Sequence, residues 1–256
     1  MVGLASCFDS SCQILPIKSF HEVNFDAIEP KTLVLFDVDE TLIQPRDALV
    51  MNLFSPQGKE LIARFKQKYP ALDVTYIHSL MSLQAARPLI EPDIIPIITR
   101  LKQREIPVIA CSYMYTGPYG VLSTTQEWRY EHLKLLGFNG SYDDRIINFK
   151  FGSKNPVFYK GILAVDLSPK GPVMGMLLDS MILQPTKIVV FDDRLDHLQS
   201  IEEECKKRGI RCEGYHYQGA IERPWDELLA QFQVEYLLAH KKWLSDQMAR
   251  AMMEPR

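Results

Sequence analysis

Three short segments are apolar at almost every position and then break off into polar residues: Thr32–Asp37 (TLVLFD), Pro107–Ser112 (PVIACS) and Lys187–Asp192 (KIVVFD). A strand with one wet face alternates, whereas a run without alternation is covered on both faces, as in a parallel sheet. Between these runs the apolar residues recur at helical spacing, over Gly58–Tyr69, Asp73–Ala86, Pro92–Arg104, Gln126–Leu136 and Leu195–Arg208. Pro70, Pro88, Pro92, Gly137 and Gly209 punctuate them. Strands alternating with helices predict an α/β fold, a Rossmann-like three-layer sandwich with a parallel central sheet. In such sheets ligands bind at the carboxyl ends of the strands.

Roughly 65 residues separate the first two strands, more than one crossover helix needs. Residues 44–87 therefore read as an inserted α-helical cap, and 1–43 with 88–223 as the core domain. Arg145–Phe151 and Val157–Val165 are β-like runs around Gly152–Pro156, which predicts a hairpin. Ser168–Pro172 opens a helix through Leu183. Residues 224–256 form a tail that reads as one long helix from Pro224 to Met252, with Asp226 and Glu227 in its first turn. Its apolar stripe (Leu228, Leu229, Phe232, Leu237, Trp243) fits packing on its own domain first, with a partner or a membrane surface as the other candidates.

Composition narrows the partners. The chain has 256 residues and a formal net charge of -3, so nothing in the balance points to nucleic acid. The sequence has no apolar run long enough to predict a membrane span. The cysteine number, 5, is odd and the spacing fits no zinc module, so free thiols in a reducing compartment are favoured over a Cys7–Cys12 pair. Leu4–Cys7 (LASC) looks like a lipid-attachment site, but too little chain precedes it for a working signal. These features predict a cytoplasmic or otherwise soluble protein, with export lacking a classical signal peptide left open. The histidines are scattered and offer no ligand pattern.

The candidate chemistry lies in Leu33–Leu42 (LVLFDVDETL). Two carboxylates one residue apart leave the end of a buried strand, and phosphoryl transfer needs two carboxylates in different roles. One attacks phosphorus. The other protonates the leaving oxygen and then helps deprotonate the water. KIVVFDD ends a second strand in paired acids, Asp192 and Asp193. The structural alternatives are an Asx turn at the first site and a helix cap at the second.

Taken in order, FDVDET, PVIACS, a lysine at a helix start and KIVVFDD resemble the four motifs of the haloacid dehalogenase-like phosphohydrolase superfamily, over about Lys31 to Gly209. The resemblance implies Asp37 as nucleophile, Asp39 as general acid/base and Ser112 as a hydrogen-bond partner of the phosphoryl oxygens. It implies Mg²⁺ held by Asp37, by the main-chain carbonyl of Asp39, and by Asp192 and Asp193, with Asp196 supporting this loop. An aspartate at position 39 favours phosphate over halide chemistry. Lys170, with Gly171 behind it, is the first choice for the phosphate-site lysine, and Lys160 and Lys154 are its rivals. Thr41 and Tyr113 are counted with Ser112 as substrate-binding residues. Tyr113, Met114 and Tyr115 suit an aromatic leaving group, or simply pack as a loop. Gln44, Arg46, Arg145 and Arg194 are further candidate contacts.

The layout also resembles a poorly characterised branch of the superfamily in intracellular bacterial pathogens, some members of which act on phosphotyrosine. The expectation is an Mg²⁺-dependent phosphoric monoester hydrolase working through an aspartyl-phosphate. Its partner would be a phosphorylated small molecule or a phosphotyrosine-containing substrate. A catalytically quiet binding or adaptor module on the same fold, and a phosphotransferase to an acceptor other than water, are the competing readings.

Overall fold

The computed structural model describes residues 13–254; Cys7, Cys12 and the LASC segment lie outside them. The sheet is built from β1 (Gln13–Ile17), β2 (Thr32–Phe36), β3 (Val108–Ser112), β4 (Ile146–Asn148), β5 (Val157–Tyr159), β6 (Ile162–Ala164), β7 (Lys187–Asp192) and β8 (Arg211–Tyr217). Their order is β1-β8-β7-β2-β3-β6-β5-β4. From β1 to β6 every neighbouring pair is parallel, and β5 and β4 add an antiparallel edge. The helices are α1 (Ala48–Met51), α2 (Pro56–Lys68), α3 (Val74–Gln84), α4 (Ile94–Gln103), α5 (Thr125–Leu135), α6 (Lys170–Met181), α7 (Leu195–Arg208), α8 (Glu227–His240) and α9 (Asp246–Met253).

Successive side chains on a strand face opposite sides, which turns the unbroken apolar runs into two cores. Leu33 and Leu35 of β2 join Ile109, Cys111, Ile188 and Val190 under α6 and α7. Val34 and Phe36 join Val108, Ala110, Val189 and Phe191 on the other side, under α4 and α5. The result is the Rossmann-like three-layer sandwich, with α1, α2 and α3 inserted between β2 and α4. From β2 the order runs through β3 to β6 on one side and through β7 to β8 on the other. Such a reversal leaves a crevice at the carboxyl tips of β2 and β7.

Two expectations are corrected, and two strands are added to the sheet. Val157–Val165 is not one strand: Lys160 (φ 49°) and Gly161 (φ 88°) are both left-handed and fold it into β5 and β6. Two consecutive positive φ angles make the tight hairpin turn whose twist matches its strands. The tail is not one helix: Lys241 (φ 58°) caps α8, and Trp243 and Leu244 turn inward before α9 starts at its Ser245 cap. Finally, β1 and β8 escaped the sequence reading. β8 reads RCEGYHY, with a glycine and polar residues where its inner neighbours are aliphatic, and β1 is an edge strand containing Pro16.

The tail packs on the insertion. Leu49, Leu61, Phe65, Ile77 and Met81 share one cluster with Ala230, Val234, Leu237 and Trp243. Asp47 (3 % exposed) clamps the two segments: its Oδ2 accepts from Trp243 Nε1 at 2.7 Å and its Oδ1 from the Asp246 N–H at 2.9 Å. Leu228, Met248 and Met252 remain on the outer surface. Among the described residues no helix is long and apolar enough to cross a membrane.

Candidate active site

Register brings the first two carboxylates together. Phe36 on β2 pairs with Phe191 on β7, and their rings stack at 4.7 Å. The next residues, Asp37 and Asp192, must therefore emerge side by side, and the Asp37 N–H donates to the Phe191 carbonyl at 2.8 Å. On the other flank Phe36 pairs with Ala110, which sets the β3 terminus, Ser112, beside the same crevice.

The third charge comes from the start of α6. Lys170 is fully buried, and its Nζ donates to Asp37 Oδ1 at 2.5 Å and to Asp192 Oδ2 at 2.6 Å. Gly171 permits this. A Cβ there would lie 1.9 Å from the Ser200 carbonyl oxygen of α7, so any other residue would push α6 off its neighbour. The Gly171 N–H also donates to Ser200 Oγ at 3.0 Å. Of the three candidate lysines, Lys170 is the one that meets carboxylates at the strand tips. Lys160 lies over the Tyr130 and Tyr159 rings, and Lys154 sits in the loop bridged to Phe151.

Around this lysine the acids outnumber the bases. Burial pushes the Asp37 carboxyl well above its ordinary range, Lys170 opposes the shift, and Asp192 and Asp193 add to it. Burial alone would lower the Lys170 ammonium, but Asp192 and Asp37 outweigh it and hold the ammonium above its ordinary range. Burial would likewise raise Asp192, yet Lys170 and His197 outweigh burial and hold that carboxyl low. Asp193 is pushed up to about 7 by burial and by the charges of Asp192 and Glu40.

Several buried polar atoms here have no partner: Asp37 Oδ2, Ser112 Oγ, Ser168 Oγ and His197 Nε2. Native interiors rarely leave such atoms unpaired unless water, a ligand or an ion completes them. Excess buried negative charge with free carboxylate oxygen is what a divalent cation requires. The residues present therefore fit one.

One further residue joins the candidate metal ligands. Among the described residues, Asp37, Asp192 and His197 each offer a ligand atom, all within 4.8 Å of one another. His197 had been set aside with the other histidines. It stands on the first turn of α7, buried, with Nδ1 3.1 Å from Asp192 Oδ1. No motif announces it, because its proximity depends on how α7 leaves β7. Asp196 is exposed and pairs with Arg194 at 2.6 Å. Asp193 is half-buried and is anchored through its main chain: its N–H donates to Thr41 Oγ1 at 3.1 Å, and its carbonyl accepts from His216 Nε2 at 2.9 Å.

Through that contact Thr41, whose side chain is wholly buried, ties the β2 loop to the β7 loop. Tyr113 is partly exposed at the mouth, its ring 4.9 Å from His197 and 5.3 Å beneath the Arg194 guanidinium. Gln44 is buried and exchanges hydrogen bonds with both main-chain groups of Ile221, which takes it away from the crevice. Arg46 and Arg145 are exposed.

Asp39 has a partner that the sequence reading missed. Arg129 Nη2, from α5, donates to Asp39 Oδ1 at 2.9 Å and to Oδ2 at 2.8 Å. Arg129 is 4 % exposed and lies 4.7 Å over the Trp128 ring. An arginine in the middle of TQEWRYEHLKL reads as a surface residue, so only the packing of α5 reveals it.

Residues 16–250 match a family described as "Protein of unknown function (DUF2608)". An uncharacterized protein of Rickettsia prowazekii is 25% identical to the chain, covering 99% of it and 96% of its own length. A protein of Chlamydia trachomatis named as a putative outer membrane protein is 24% identical, over 91% of the chain and 87% of its own length. Among solved structures, a haloacid dehalogenase-like family hydrolase from Streptococcus pneumoniae covers 82% of the chain and 98% of its own, with 18% identity and a TM-score of 0.41.

Proposed function

We propose that this chain, which belongs to the DUF2608 family of proteins of unknown function, is a divalent-metal-dependent phosphomonoester hydrolase of the haloacid dehalogenase type. One observation carries the reading. Lys170 holds one oxygen of Asp37 while the other, Oδ2, is buried without a partner. A carboxylate fixed at one oxygen and free at the other is oriented for attack on an electrophile in the crevice.

In this reading Asp37 Oδ2 attacks phosphorus and forms an aspartyl-phosphate as the ester oxygen departs. Asp39 gives that oxygen a proton and afterwards takes one from the water that cleaves the acyl phosphate. Lys170 sets a fixed positive charge against the transferring group, and the Ser112 hydroxyl is free to donate to it. Asp37 and Asp192, with His197 or the Asp193 carboxylate as further candidates, would hold the cation. When bound, Mg²⁺ neutralises the repulsion between carboxylate and phosphate.

Tyr113 and Arg194 at the mouth support an aryl phosphate, including phosphotyrosine, as the preferred ester, since a ring can stack on Tyr113. The helices of the insertion, together with α8 and α9, would form the cap over this entrance. The test is phosphate release from aryl and alkyl phosphates with Mg²⁺, along with detection of covalent phosphate on Asp37 after acid quench. Absence of both in wild-type protein ends the proposal.

A further inference from the structure

We propose that Arg129 is a positioning residue for Asp39, holding its carboxylate toward the leaving-group oxygen; this rests on the phosphatase reading above. Asp37 is fixed by Lys170 and by the strand it terminates. Asp39 stands beyond the strand, in the turn where the Leu42 and Ile43 N–H groups both return to the Val38 carbonyl. Its side chain is 44% exposed, and among the described residues Arg129 is the only hydrogen-bond donor to that carboxylate. An exposed acid without a holder samples several rotamers and loses the alignment that proton transfer needs.

The holder is itself rigid. Arg129 is buried, packed over Trp128, and carried on α5, whose Leu133 lies in the sheet core. Arginine–carboxylate pairs are often bidentate, two nitrogens set against two oxygens, as Arg208 is with Asp179. At Asp39 one nitrogen of Arg129 spans both oxygens, and Nε and Nη1 have no acceptor. A single-nitrogen contact orients the carboxylate as a whole and leaves its outward lone pairs free to exchange a proton with the ester oxygen and then with water.

The test exploits leaving-group chemistry. p-Nitrophenolate departs without a proton, whereas an alkoxide does not. Arg129→Gln is therefore expected to lower kcat/KM for a primary alkyl phosphate on the order of 100-fold, and for p-nitrophenyl phosphate only about 3-fold. Arg129→Lys should recover part of the alkyl loss, and it decides by the same ratio if the glutamine variant does not fold. In an Asp39→Asn background, Arg129→Gln should add less than about 2-fold, because both changes remove one function. Equal losses on the two esters, or additive losses in the double variant, overturn the proposal while leaving the phosphatase reading intact. A wild-type protein that hydrolyses neither ester removes both.

Discussion

Two aspartates ten positions apart, Asp37 and Asp47, are buried to almost the same degree and treated in opposite ways. Asp47, at the seam between the insertion and the tail, accepts one N–H on each oxygen from Trp243 and Asp246. Asp37, at the strand tips, meets a lysine on one oxygen and nothing on the other. Asp47, which holds structure, is satisfied by neutral donors. A carboxylate placed for chemistry is left incomplete and crowded by its own sign of charge, which costs stability for as long as no ligand is there. The seam and the crevice are thus both polar and buried, and they should respond differently to the same perturbations.

The largest contrast is in rate. Asp37→Asn should lower phosphate release about 10⁴-fold or more, whereas Asp47→Asn should lower it only a few-fold. The ranking in a denaturant titration should reverse, with Asp47→Asn losing about 1–2 kcal/mol through a broken Trp243 or Asp246 bond. If both variants lose rate equally, the division of labour is wrong.

Next in size is Lys170→Met, which leaves Asp37 and Asp192 facing each other without their shared cation. A loss of about 3–5 kcal/mol is expected in metal-free protein. Millimolar Mg²⁺ should return part of it, read as a shift of the urea midpoint. The seam counterpart is Trp243→Ala, which removes a buried indole and its bond to Asp47. About 3 kcal/mol should be lost, with faster amide exchange confined to α8, α9 and the helices of the insertion, and no response to Mg²⁺.

The smallest effect concerns His132, which lies between the regions beside Arg87 and Arg129. Burial, then those two guanidiniums, lower its pKa to about 4. The unfolded chain takes up its proton near 6.5 and the folded chain only near 4, so stability should fall as pH drops from about 6.5 to about 4 and level off below that. Part exposure of the ring limits the change to about 1–2 kcal/mol. His132→Gln should flatten the slope across that window.

How much of this was legible beforehand depended on where the determining contacts lie along the chain. The three inner strands, and the acids that end two of them, are local facts: Thr32–Phe36 and Lys187–Asp192 carry their burial in their own residues. The Lys170–Gly171 pair could be read too, because a helix start and a small residue are sequence features. Arg129 and His197 were not legible, since each acts through a neighbour 90 or 5 residues away whose approach is set by helix packing. The tie that Thr41 makes to the β7 loop was not legible either, because a motif position does not say which way a hydroxyl points. β8 was missed because its environment, between β7 and β1, supplies the order that RCEGYHY lacks by itself.

The insertion joins the core through a two-stranded ribbon, where the Gln44 N–H meets the Pro88 carbonyl and the Arg46 N–H meets the Ala86 carbonyl. A third passage of chain, at Ile221 and Arg223, is laced to that ribbon through Gln44, Pro45 and Asn52. A segment hung from two adjacent crossings behaves as an interchangeable cassette; here the same crossings also grip the passage that leads into α8. Grafting residues 48–84 from a relative would carry the new helices onto a foreign α8 and α9, so a working chimera has to exchange both stretches together.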